Sequence, residues 1–170
     1  MADIAEPVAG SPILDSWGVA VTQKLNRMPI IQVTADESTD SATAVDLDEL
    51  AFDVTSGRFY MVRLFGAYAV SATNQGLQLG CDRPTGSCFL FMTIAGKTGY
   101  NDFTYDSTSS ALQGTTATDS TNNRALWIDI WYACTANGTF TVQFARGGTS
   151  GSTGVTILAG TGGIVLESGA

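Results

Sequence analysis

From Pro29 onward, apolar and polar residues alternate at a period of two in run after run, the pattern of strands that bury one face. IIQVTA at 30–35 reads as a short strand, and Val45 to Val54 supplies another, with Val45, Leu47 and Phe52 available for burial. Ser56-Gly57 marks a turn. In the following run Tyr60, Val62, Leu64, Tyr68 and Val70 fall on one face, while Phe59, Met61, Arg63 and Phe65 fall on the other. That strand is expected to be buried on both sides for most of its length. Leu77, Leu79 and Cys81 alternate inward in the next run, and residues 88–95 form a nearly continuous apolar strand before Gly96. Residues 97–123, dense in Ser and Thr, are the least regular stretch and read as a long exposed loop, with Tyr100, Phe103 and Tyr105 spaced for one strand inside it. VTILA and GIVLE follow the glycine-rich turn GGTSGSTG.

The segment 124–146, RALWIDIWYACTANGTFTVQFAR, holds two strand-grade runs joined by Asn137-Gly138, the strongest short-range signal for a β-hairpin with a type I′ turn. With Asn137 and Gly138 as the central residues, Trp131 is expected opposite Phe144, Ala133 opposite Val142, Thr135 opposite Phe140, and Asp129 opposite Arg146.

The period changes before Pro29. Residues 1–13 contain Pro7, Gly10 and Pro12 and no repeat, and read as an extended arm. Leu14, Trp17, Val21, Leu25 and Met28 then recur at intervals of three and four, one face of a short amphipathic helix. Asp15 or Ser16 can cap it, Lys24 and Arg27 suit its C-terminal end, and Pro29 stops it. Its stripe can dock on the domain's own sheet or on sister subunits. The division expected is therefore an arm and helix over 1–28 and an all-β domain over 29–170. About eight or nine strands with evenly spaced turns fit an antiparallel β-sandwich or jelly roll, with a barrel as the nearest competitor.

Composition narrows the function. Only 14% of residues are charged, against a usual ~25%, so the solvent face must be built largely from Ser, Thr, Asn and Gly. Such a surface suits a β-rich protein that packs against neighbours. The net charge is −8, and the eight basic residues are scattered rather than clustered, which disfavours direct nucleic-acid binding. The N-terminus MADIAEPVAG lacks the basic and apolar regions of a secretory signal, and the longest near-apolar run, Phe59 to Val70, is too short to span a bilayer as a helix.

Without a histidine, Ser-His-Asp and Cys-His catalysis are excluded. Asp36, Glu37 and Asp40, and Asp46, Asp48 and Glu49, read as solvated acids rather than a glycosidase pair or a calcium loop. Cys81, Cys88 and Cys134 contain no CxxC; they read as buried thiols, with a Cys81–Cys88 disulfide across the DRPTGS turn as the alternative. Trp127, Asp129 and Trp131 invite a sugar-platform reading, which the expected pairing of Asp129 with Arg146 explains more simply. The acceptor pattern Asn137-Gly138-Thr139 is taken up by the turn. No cofactor or metal is expected, and no catalytic residue.

The segment GSPILDSWGVAVTQKLNRM resembles the Ser-Trp-Gly N-terminal segments of tailed-bacteriophage tail, fibre and head-decoration proteins. Further on, SGRFY leading to SATNQGL, and GTFTVQFA preceding VTILAGT, are similar to a β-sandwich domain of such virion structural proteins. The likeness covers roughly residues 11–28 and 52–167; the Ser/Thr-rich stretch 97–123 departs from it. The resemblance implies a non-enzymatic virion component, a homotrimer made in the host cytoplasm. Its partners would be the major capsid protein or other virion proteins, with no direct nucleic acid and no membrane. Capsid decoration is the leading expectation, with Ile4, Ile13, Leu14, Trp17, Val21 and Leu25 making the attachment or subunit contact. A tail-fibre or receptor-binding module is the alternative, with Tyr100, Asn101, Asp102, Phe103 and Tyr105 as an exposed loop meeting a host glycan.

Overall fold

The computed structural model describes residues 29–72, 75–95, 100–105, 112–114, 123–148 and 154–168. The helix expected over 14–28, and with it Ile4, Ile13, Leu14, Trp17, Val21 and Leu25, lies outside the described residues. Within them the chain is all-β, in two antiparallel sheets, with no helix.

In chain order the strands are β1 (Ile30–Gln32), β2 (Glu37–Thr39), β3 (Val45–Val54), β4 (Phe59–Val70), β5 (Gly76–Asp82) and β6 (Gly86–Ala95). They continue as β7 (Tyr100–Tyr105), β8 (Gln113–Gly114), β9 (Arg124–Cys134), β10 (Gly138–Gly147), β11 (Val155–Ile157) and β12 (Gly162–Ser168). The large sheet runs β1-β12-β4-β9-β6-β7, with β11 on the same edge of β4 as β12 and β2 beyond it; the small sheet runs β3-β10-β5-β8. The arrangement is β-sandwich-like. Inward residues of β4, Tyr60, Val62, Leu64, Tyr68 and Val70, are all buried, as their alternation predicts. They meet Leu77 and Leu79 of β5, Phe140, Val142 and Phe144 of β10, and Phe52 of β3 in one continuous core. Ring contacts stitch the sheets together: Phe52 lies 5.8 Å from Tyr60, and Phe140 lies 5.3 Å from Tyr132. Truncating a buried Phe of this kind to Ala typically costs ~3–5 kcal/mol.

The hairpin expected at 124–146 does not form. β9 takes both its neighbours, β4 and β6, from the large sheet, and β10 pairs with β3 and β5 in the small one. Residues 135–137 therefore cross between sheets. Gly138 is not among the positive-φ glycines, Gly57 at 78°, Gly148 at 99° and Gly160 at 90°, so the type I′ turn is absent too. A glycine is needed at 138 for room, because a Cβ there would come within 2.6 Å of the Pro84 ring. Neighbouring crossings hold this one in place: the Asn137 Oδ1 accepts from the Ser56 N–H at 2.8 Å, and the Thr135 N–H donates to the Thr85 carbonyl at 2.9 Å.

Two further expectations change. Phe65 and Arg63 of β4 are exposed and Phe59 and Met61 only partly covered, so this strand is buried on one side, not two. The stretch expected as a long loop supplies an edge strand to each sheet, β7 to the large and β8 to the small.

Candidate docking surface

The outward positions of β4, β6 and β9 carry most of the large exposed apolar side chains, and strand pairing brings them together. Leu166, Met61, Trp131 and Phe89 form one row across β12, β4, β9 and β6. Ile30, Ile164, Arg63, Asp129 and Phe91 form the next, and Phe65, Trp127 and Thr93 a third. Phe65, Phe89, Phe91, Trp127 and Trp131 are each 41–50% exposed, and Ile30 is 75% exposed. Isolated exposed hydrophobics are ordinary; a contiguous set of this extent marks a contact surface. The rings are not coplanar. Phe65 meets Trp127 at 4.6 Å with a 53° tilt, and Phe59 meets Trp131 edge-on at 6.3 Å.

One ion pair sits in the middle of this face. The Arg63 Nε donates to the Asp129 Oδ1 at 2.7 Å and its Nη2 to the Oδ2 at 3.4 Å, while the Trp127 Nε1 donates to the same Oδ2 at 3.0 Å. The Arg63 guanidinium also lies 5.4 Å from the Trp127 ring centroid. Hydrogen bonding to Asp129, then its charge, raises the Arg63 pKa. Asp129 is thus paired across the sheet with Arg63, not with Arg146, whose Nε donates to the Asp40 carbonyl at 2.9 Å. The expected pairing fails because Arg146 belongs to the other sheet.

The outside of the small sheet has the opposite character. Thr139 donates to Asp53 at 3.2 Å and Gln143 to Asp46 at 2.7 Å, with Gln78 and Asp82 alongside on β5. It is a polar, acidic face.

The other candidate groups are tied up in structure. Asp36 accepts from the Ala159 N–H at 2.8 Å, and Glu49 accepts from both the backbone and the hydroxyl of Thr34. Those bonds lower the Glu49 pKa, the hydroxyl contributing most, whereas desolvation and the charges of Glu49 and Asp48 raise that of Glu37. Cys81, Cys88 and Cys134 are free thiols. Cys81 and Cys88, on facing sheets, share a hydrogen bond that lowers the Cys81 pKa and, with burial, raises that of Cys88. Among the described residues, no group of three or more Cys, Asp or Glu is placed to hold a metal ion. A cleft of ≈ 460 Å³ opens at the seam between β1, β12 and β3, lined by Pro29, Ile31, Phe52, Tyr60 and Val165 with Asp53 and Glu167 among its polar residues; Glu167 is paired with Arg58 at 3.4 Å.

The expected glycan-binding loop is a strand. β7 sets Tyr100, Asn101, Asp102, Phe103 and Tyr105 opposite Ala95, Ile94, Thr93, Met92 and Leu90 of β6, at the edge of the large sheet. Sequence reading singled out Trp127, Asp129 and Trp131 but missed Phe65, Phe89 and Phe91 as their companions. The available signal was the aromatic residues at outward positions of three runs; strand order was needed to join them. No family model matches the chain, and no curated protein matches it either.

Proposed function

We propose that this protein is a non-enzymatic virion structural protein, a homotrimeric decoration protein on the outer shell of a tailed bacteriophage. One observation carries that reading: among the described residues, Phe65, Phe89, Phe91, Trp127 and Trp131 make a contiguous exposed aromatic face around one internal ion pair, a surface suited to assembly rather than to turnover. The strand order β1-β12-β4-β9 against β3-β10-β5-β8, with every connection from β2 to β11 except β6–β7 changing sheets, supports a jelly roll, an architecture used in viral shells. Attachment is assigned to residues 1–28, through Ile4, Ile13, Leu14, Trp17, Val21 and Leu25. Three such segments on one shell would bind by avidity, without a large interface for each.

Deleting residues 1–28 tests the assignment. The shortened protein is expected to be missing from purified virions, judged by gel and by electron microscopy of the particles, while its circular dichroism keeps the β-signal. Retained attachment would sink the reading.

A second reading, a receptor-binding module for host glycan, draws on the same face, because a carboxylate and a guanidinium stand between two indoles. Glycan-array binding that is lost on Trp131→Ala, or on Tyr105→Ala at the β7 edge, would favour it over decoration.

A further inference from the structure

We infer that the aromatic face of the large sheet is the surface through which copies of this chain pack on one another. The inference deepens the assembly reading above by naming the partner of that face, and it can stand or fall separately from attachment to a shell.

Four observations select a second copy. The first is the pattern of β4, apolar on both sides like a strand covered on both, although among the described residues only one side is covered. Second, the size suits a modest interface. Three rows ~6.8 Å apart, across as many as five strands spaced ~4.8 Å apart, make a face of roughly 24 by 20 Å. That flat area of roughly 480 Å², before side-chain relief is added, is over half of the ~800 Å² per partner of a standard interface.

Third, charge complementarity points to self rather than to a strongly charged partner. The chain carries −8 overall, yet the centre of this face, among the described side chains, holds one Arg and one Asp that balance each other, and the register sets Asp102 of β7 at its edge, opposite Thr93. A face with one charge of each sign is complementary to a copy of itself, since a turned copy can set Arg63 near Asp129 and Asp129 near Arg63. Acids such as Asp46, Asp53 and Asp82 lie on the opposite sheet, where a copy docked on the aromatic face does not meet them.

Fourth, the polar groups are ready to be dehydrated. Asp129 already accepts from Arg63 and from Trp127, so covering it leaves no lone carboxylate behind. A sugar-reading surface has the reverse needs, open donors and acceptors and rings laid flat. Here the Asp129 carboxylate is spent on Arg63 and Trp127, and the rings tilt by 53° and 90° into ridges that suit interdigitating side chains.

The test uses the full-length chain in sedimentation velocity and native mass spectrometry. Self-association in the micromolar range is expected, with a two-fold pair as its smallest unit. Trp131→Lys and Phe91→Lys, each at a half-exposed outward position, should raise the dissociation constant at least about thirtyfold, as loss of an interface hot spot does, with unchanged circular dichroism. Arg63→Asp should weaken association by placing two acids together, and Arg63→Asp with Asp129→Arg should restore it, an outcome that general misfolding cannot produce. A monomeric full-length chain overturns the inference, as does an oligomer indifferent to Trp131→Lys, or a monomer whose face is cross-linked to its own residues 1–28. An oligomer that fails to bind virions supports this inference and overturns the decoration reading; a monomer that binds virions does the reverse.

Discussion

The Tyr68 hydroxyl donates to the Ala95 carbonyl at 2.6 Å from a ring with no solvent exposure. Burial pushes its pKa up to about 12, partly offset by the charge of Arg124. The sign of the pH effect follows. The unfolded chain ionises Tyr68 near its ordinary 10.0, while the folded chain keeps the proton to about 12, so stability falls as pH rises through that window. Tyr68→Phe is expected to cost ~1–2 kcal/mol at pH 7, because the Ala95 carbonyl loses its partner. The same change should flatten the alkaline loss of stability by one proton between pH 10 and pH 12. Urea melts across that range check both. On the outer face the accounting differs: the Arg63–Asp129 pair is part-exposed, and in a lone chain Asp129→Asn should leave the urea midpoint nearly unchanged.

At the scale of elements, the crossing between β9 and β10 decides the fold. In a hairpin the two runs would lie side by side in one sheet; in the structure they face each other across the core, with Tyr132 against Phe140 at 5.3 Å. Gly138→Ala separates the two arrangements. A type I′ turn would object to alanine through φ, whereas here the obstacle is the Pro84 ring at 2.6 Å from the Cβ position. The substitution is expected to cost ~1–3 kcal/mol through overpacking, and Pro84→Ala should relieve part of that cost in the double variant. Thermal melts of the four proteins form the cycle; strictly additive effects would argue against the contact. Alternation made the strands and their inward faces readable from sequence: Tyr60, Val62, Leu64, Leu77 and Leu79 are all buried. Partner choice was not readable, because period two is identical for a run in a hairpin and a run that crosses to the facing sheet. Asn137-Gly138 misleads for the same reason, its asparagine serving as an acceptor for Ser56 and its glycine as clearance for Pro84. The candidate surface inherits that limit, since Phe65, Phe89 and Trp127 are far apart in the chain and adjacent only once β4, β9 and β6 are in order.

Across the whole molecule, the two outer faces are chemically opposed: aromatic around one ion pair on the large sheet, polar and acidic on the small one. This division predicts how salt acts on assembly. Copies carrying −8 each repel at long range, and screening shortens that repulsion from ~30 Å at 0.01 M salt to ~8 Å at 0.15 M. Apolar contact between aromatic faces is not weakened by the same change and is strengthened by excluded salts such as sulfate. Association should therefore tighten as sodium chloride rises from low to physiological concentration, and tighten further in sodium sulfate. An assembly held mainly by ion pairs between the acidic faces and basic residues would loosen instead. Sedimentation velocity across a salt series reads the direction. Trp131→Lys sharpens the result, because in sulfate, where repulsion is screened, the variant should still associate more weakly than the parent by about the same thirtyfold, the mark of a lost apolar contact.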